Sequence, residues 1–206
     1  AGHLGLVHQR TAYLLRTGDL ERPSQKGGQL EPPPTDGTVD WAARWHGELL
    51  ARLQSTDPDA EMWSFFAGGG TAGWWARRMA HETAVHRVDA EQATGGAGGE
   101  VDAALAIDGV DEVLDVFLPT FGTPPFGDGE TVHLHATDAA GEWLLTLGQD
   151  VVGVGRGHAK GDAAVRGPSS SLYLWLWGRA PLQSMEVFGD PSVAAALRSS
   201  VAASTG

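Results

Sequence analysis

The chain has 206 residues, enough to bury a core as one large domain or two small ones, and 42% hydrophobic with 19% charged residues is the balance of a globular protein, neither disordered nor collagenous. A formal charge of -12 repels phosphate backbones, which argues against a nucleic-acid partner. With no cysteine, a disulfide scaffold, a thiolate zinc site and a catalytic cysteine are excluded, so any thiol chemistry needs an external thiol.

The chain opens as if inside an element, with neither Met nor a capping residue before His3, so a preceding segment is expected. Leu4, Val7, Leu14 and Leu15 recur with helical spacing over residues 3–16, and Gly18 is the stop. A Gly- and Pro-rich loop over 18–38 follows. Asp40 is the expected cap of a helix from Trp41 to about Leu53, closed by Asp57-Pro58. After Gly68-Gly69-Gly70, Thr71 is placed to cap the strongest helix, about 71–94, and a fourth is expected over about 100–117. These segments predict an up-down helical bundle over residues 1–120.

The Pro- and Gly-rich stretch 119–129 suits a linker. Beyond it, Thr131–Thr137 alternates with period two, Glu142–Leu147 is a plausible partner, and 151–155 and 163–166 are further strand candidates. Ser169 or Ser170 is expected to cap a helix through Trp177, and Asp190-Pro191 opens a last one to about Arg198. Residues 121–206 therefore predict a small α+β domain, and the whole chain a two-domain α+β protein. No apolar run approaches the roughly 20 residues of a membrane span, and no signal peptide is visible. A cytoplasmic, non-membrane protein is expected, as monomer or homodimer.

The informative polar residues lie in the 71–94 helix. Glu82 and His86 are one turn apart, and Asp89 lies three further on, all on the stripe of Trp75 and Met79. A carboxylate facing a core is costly unless paired or metal-bound. A third ligand from another helix would give two histidines and one glutamate with an open position. His3 is the first donor to consider and His8 the fallback; about 140° of net helical rotation separates them, so they do not serve one site. The spacing equally suits a plain hydrogen-bonded Glu–His pair. It is not the HExxH zincin pattern, because His81 and His86 are five apart. His81 reads as an outer or interhelix side chain. His133 and His135 share a strand face, with no third ligand evident, and His46 and His158 carry no signal.

The run Trp74–Asp89 and the opening His3-Leu4-Gly5-Leu6-Val7-His8 resemble the mycothiol-dependent maleylpyruvate isomerase-like family of actinobacteria, a branch of the DinB-like metal-binding four-helix bundles. Further matches are Ile107–Glu112, His133–Thr137, Gly141-Glu142-Trp143, and Val165-Arg166-Gly167 through Arg179. The resemblance implies a DinB-like bundle whose first helix is missing here, followed by a sterol-carrier-like α+β module. It implies His3, Glu82 and His86 as ligands of a divalent metal, zinc above all, with Asp89 as a nearby acid or base or as a residue that holds ligating water. It also implies mycothiol as co-substrate.

Such a site would deprotonate a thiol for addition to a small electrophilic substrate, the thiol then leaving (isomerisation) or staying (transfer). Asp89 and Arg179 are the expected catalytic residues. Arg78 and Arg87, flanking the site with Arg77, are the expected co-substrate anchors, each equally open to a surface or interdomain ion-pair role. Two other classes compete: a metal-dependent hydrolase or lyase that needs no thiol, and a non-catalytic metal- or ligand-binding protein.

Overall fold

The computed structural model describes residues 1–66, 69–96 and 98–205, with 203–205 as backbone alone. Gly68 of the expected glycine triplet lies outside the described residues. The chain divides into two compact units, Ala1–His86 and Arg87–Gly206. Among the described residues, no helix is long and apolar enough to cross a membrane.

The first unit holds helices α1 (Gly2–Thr17), α2 (Thr38–Ser55) and most of α3 (Ala72–Ala93), with a ribbon of β1 (Glu61–Met62) and β2 (Gly70–Thr71) before α3. The apolar spacing of α1 and α3 produces the core: Val7, Leu14 and Leu15 pack with Leu49, Met62, Trp75 and Met79. Thr71 serves as expected at the start of α3, its hydroxyl accepting from the Trp74 N–H at 3.2 Å. Asp40 does not cap α2. That helix begins three residues earlier, after Gly37, and Asp40 sits in its first turn, where its charge favours the helix dipole.

The second unit begins with the last turns of α3 and continues through α4 (Ala103–Glu112), a π-helical turn over 113–117, and α5 (Leu118–Phe121). Asp102 caps α4, its carboxylate accepting from the N–H groups of Ala104 and Leu105. The sequence places the domain boundary at 120/121, whereas contacts place it at 86/87. The difference lies in α4, which packs on α6 (Ser169–Leu176) within the second unit, with Val110 buried. Gly109 permits that approach, since a β-carbon there would stand 2.3 Å from Tyr173 Cε2. The 119–129 stretch accordingly runs inside this unit, from α5 into the sheet.

The sheet has the order β5-β4-β3-β6-β7, from β3 (Glu130–Ala136), β4 (Glu142–Leu147), β5 (Val152–Arg156), β6 (Ala163–Gly167) and β7 (Glu186–Gly189). β3 and β6 run parallel and the other pairs antiparallel. Alternation fixes the register: Val132, Leu134, Trp143, Leu145 and Val165 are buried on one face, and a one-residue slip would exchange them for polar neighbours. Helices α6 and α7 (Pro191–Thr205) cover β3 and β6. Trp175 and Trp177 are buried, as packing side chains should be. Neither Ser169 nor Ser170 caps α6. The Asp138 carboxylate accepts from the Ser169 N–H at 2.8 Å, while the Ser170 hydroxyl accepts from the Val101 N–H. Asp190 does cap α7, accepting from the Ser192 N–H at 2.8 Å, and the helix runs past Arg198 to Thr205.

Candidate metal centre

Helical periodicity puts Glu82 and His86 on one face of α3, and α1 brings His3 to meet them. His3 Nε2 lies 2.8 Å and His86 Nε2 3.2 Å from the same carboxylate oxygen, Glu82 Oε1. The two rings stand 5.0 Å apart, edge to face. The three potential ligand atoms lie within 4.8 Å of one another. Donor atoms on a tetrahedral cation with bonds of about 2.0–2.1 Å are separated by roughly 3.3–3.5 Å, and both nitrogen–oxygen separations lie just short of that range. Two imidazole nitrogens and one carboxylate oxygen suit zinc and its transition-metal neighbours better than calcium or magnesium.

Arg78 is placed differently from a co-substrate anchor. Its side chain is 3% exposed, and Nη2 meets Glu82 Oε2 at 2.5 Å, leaving Oε1 to the imidazoles. Burial opposes ionisation of Glu82, but hydrogen bonds from His3 and His86 and the charge and hydrogen bond of Arg78 outweigh it, holding the carboxyl well below the usual carboxylate range. The group is therefore anionic and oriented before any cation arrives. His3 is 65% exposed at its side chain, so the site has an open side.

His8, the fallback ligand, turns elsewhere: its Nε2 lies 3.1 Å from the Thr83 hydroxyl and its ring 5.2 Å from that of His46. His81 is fully buried. Arg87 binds Glu91 at 2.7 Å and donates to the Glu100 carbonyl, which fastens the segment before α4 to α3. Asp89 and Arg179 meet each other through a two-bonded fork, Nε–Oδ1 at 2.9 Å and Nη2–Oδ2 at 3.2 Å, and Gln92 donates to the Arg179 carbonyl.

His133 and His135 are not an incomplete pair. Glu142 and His158 join them, and the four ligand atoms also lie within 4.8 Å of one another. The sequence held a signal for Glu142: a short hairpin between the two strands places it opposite His135, the register found. His158 follows β5 and had no local signal.

A helical unit with a two-histidine, one-carboxylate cluster, followed by an α+β unit, defines a two-part candidate metalloprotein. Residues 1–91 match the family model "Mycothiol maleylpyruvate isomerase N-terminal domain" and residues 104–196 the model "MDMPI C-terminal domain". The chain belongs to the mycothiol maleylpyruvate isomerase-like family. None of the curated proteins matches it. Among solved structures, a chain titled "UbiJ-SCP2 Ubiquinone synthesis protein" is similar at 18% identity and a TM-score of 0.34, over 50% of this chain and 96% of that one.

Proposed function

We propose that the chain is a divalent-metal-dependent, mycothiol-using isomerase or transferase of the cytoplasm, with zinc as its metal. The convergence of His3 Nε2 and His86 Nε2 on one oxygen of Glu82 carries this reading, and membership of the family supports it. The same reading makes the first unit a DinB-like bundle and the second a sterol-carrier-like module.

His3, Glu82 and His86 would hold the metal. A cation bound there supplies positive charge that stabilises the anionic form of a thiol in the position the three protein ligands leave open. Arg78 orients Glu82 by occupying its second oxygen. Thiolate addition to an activated alkene forms a carbon–sulfur bond and breaks the π bond. The π electrons pass to the activating group; after rotation they return to the double bond and expel the same thiolate, which gives the isomer, whereas protonation of the adjacent carbon by the proton taken from the thiol completes a transfer. Asp89 is the residue proposed to hold the thiol's proton, and Arg179 to read an anionic substrate group. Since the chain has no cysteine, the sulfur must come from the co-substrate.

The test is turnover of maleylpyruvate by untagged protein of measured zinc content, with and without mycothiol. Turnover requiring both zinc and thiol supports the proposal. Turnover of a substrate without thiol would point to a hydrolase or lyase, and failure to retain zinc at His3, Glu82 and His86 would remove the metal-dependent reading.

A further inference from the structure

We propose that the second unit carries its own divalent transition-metal site, formed by His133, His135, Glu142 and His158 on the sheet face turned away from α6 and α7. It does not depend on the reading given above for the first unit.

Three backbone features assemble the cluster. Period-two alternation sends His133 and His135 to the side of β3 opposite Val132 and Leu134. The β3–β4 register sets Glu142 directly across from His135. β5 then pairs Arg156 with Trp143, and Gly157 donates its N–H to the Glu142 carbonyl at 3.0 Å, with φ +107, a conformation that strains any side-chain-bearing residue. That turn delivers His158 onto Glu142. The result is three imidazoles around one carboxylate: His133 Nε2 at 3.0 Å and His158 Nδ1 at 2.8 Å from Oε2, and His135 Nδ1 at 3.4 Å from Oε1.

These separations are close to the roughly 3.3–3.5 Å between donors on a tetrahedral zinc ion with bonds of about 2.0–2.1 Å. Three imidazole nitrogens and a carboxylate oxygen suit zinc, copper(II), nickel or cobalt and not calcium or magnesium. The Glu142 carboxyl is held below its usual range, first by the His158 hydrogen bond and then by that of His133, with burial opposing. His133 is 7% exposed at its side chain and His158 78%, so one ligand is fixed within the fold and another closes over from outside. Four protein donors fill a tetrahedral shell, which makes this a structural site rather than a catalytic one. Its effect is to clamp β3, β4 and the segment after β5 together. That segment, with Lys160 and Asp162, borders a cavity of about 650 Å³ also lined by Phe188, so the metal fixes one rim of the cavity.

The test is metal stoichiometry. The untagged chain, H135A/H158A and H3A/H86A are each loaded with zinc, desalted and analysed for bound metal. Two zinc ions per chain are expected in the parent and one in each double variant. His135 and His158 are both partly or largely exposed, so their removal leaves the core of the sheet intact. Cobalt(II) in H3A/H86A gives a second readout, the visible absorption of a four-coordinate site that only His133, His135, Glu142 and His158 remain to form. The proposal falls if the parent holds one zinc or none, if H135A/H158A holds as much as the parent, or if the cobalt band is missing from H3A/H86A. A parent with one zinc that is lost in H3A/H86A would overturn this site while leaving the first intact.

Discussion

His8 and Thr83 are joined by a hydrogen bond whose direction is fixed. His8 Nε2 lies 3.1 Å from the Thr83 hydroxyl oxygen, and that hydroxyl donates its one proton to the Met79 carbonyl at 2.7 Å. The imidazole must therefore be the donor. It carries its proton on Nε2, and its buried Nδ1 has no hydrogen-bond partner among the described residues.

Burial, followed by the charge of His46, lowers the His8 pKa from 6.5 to about 4; His86 acts in the same sense and Glu82 against it. Between those pH values the unfolded chain binds a proton that the folded chain refuses. Folding stability supplied by neutral His8 is thus fully present above pH 6.5 and is lost as pH falls to about 4, by about 3 kcal/mol. His8→Gln keeps a donor near the Nε2 position and does not titrate. Urea unfolding at pH 7.5 and 4.5 should show a smaller acid loss in the variant by about that amount. Equal losses would mean that His8 is not the source.

Arg78 and Glu82 form a buried pair whose breakage is felt at the metal ligand. Arg78→Met leaves Glu82 Oε2 without its cation, free to turn away from His3 and His86. Zinc affinity, measured by chelator competition, should drop about 10–100-fold. Arg78→Lys, a point charge in place of a planar fork, should lie between. Unchanged affinity in Arg78→Met would show that Glu82 is oriented without it.

The parts of this fold that a sequence displays are those whose pattern is local. Apolar residues three and four apart mark α1 and α3 to within a residue or two, and period-two alternation marks β3 and β4. β7 is different: only Val187 of its four residues is not exposed, so no alternation betrays the strand, and its pairing with β6 is a tertiary fact. The β1–β2 ribbon, two residues a side, is too short to show a period. In the sites the same rule holds. Glu82 and His86 stand out because one helix carries both, and His3, near the start of another helix, is the first donor to join them. His158 reaches Glu142 only through strand order and the Gly157 turn, and Arg78 reads as a co-substrate anchor or an ion-pair residue alike, because the four-residue spacing to Glu82 does not by itself say which face is buried.

Asp89 and Arg179 fix each other, so they are expected to fail together. Asp89→Asn removes the acceptor charge and should lower thiol-dependent kcat by about 10²–10⁴-fold, the range of a lost general acid or base. Arg179→Lys keeps the charge without the two-bonded fork. It should raise KM for an anionic substrate more than it lowers kcat. Zinc content should be unchanged in both. Loss of zinc together with activity would instead make the pair a support of the fold, not a participant in the reaction.

Gly109 and Tyr173 set how closely α4 and α6 approach. A methyl group at Gly109 would stand 2.3 Å from Tyr173 Cε2, and Tyr173 is fully buried. Gly109→Ala should therefore destabilise the second unit by about 1–3 kcal/mol, the usual cost of overpacking, despite the better helix propensity of alanine. Tyr173→Leu removes the ring atoms that collide, so Gly109→Ala introduced into that background should cost much less than in the parent. Urea unfolding of the two variants and their double, followed by circular dichroism, measures these costs. If alanine at 109 cost the same with and without the Tyr173 ring, the helices would be spaced by something other than this contact.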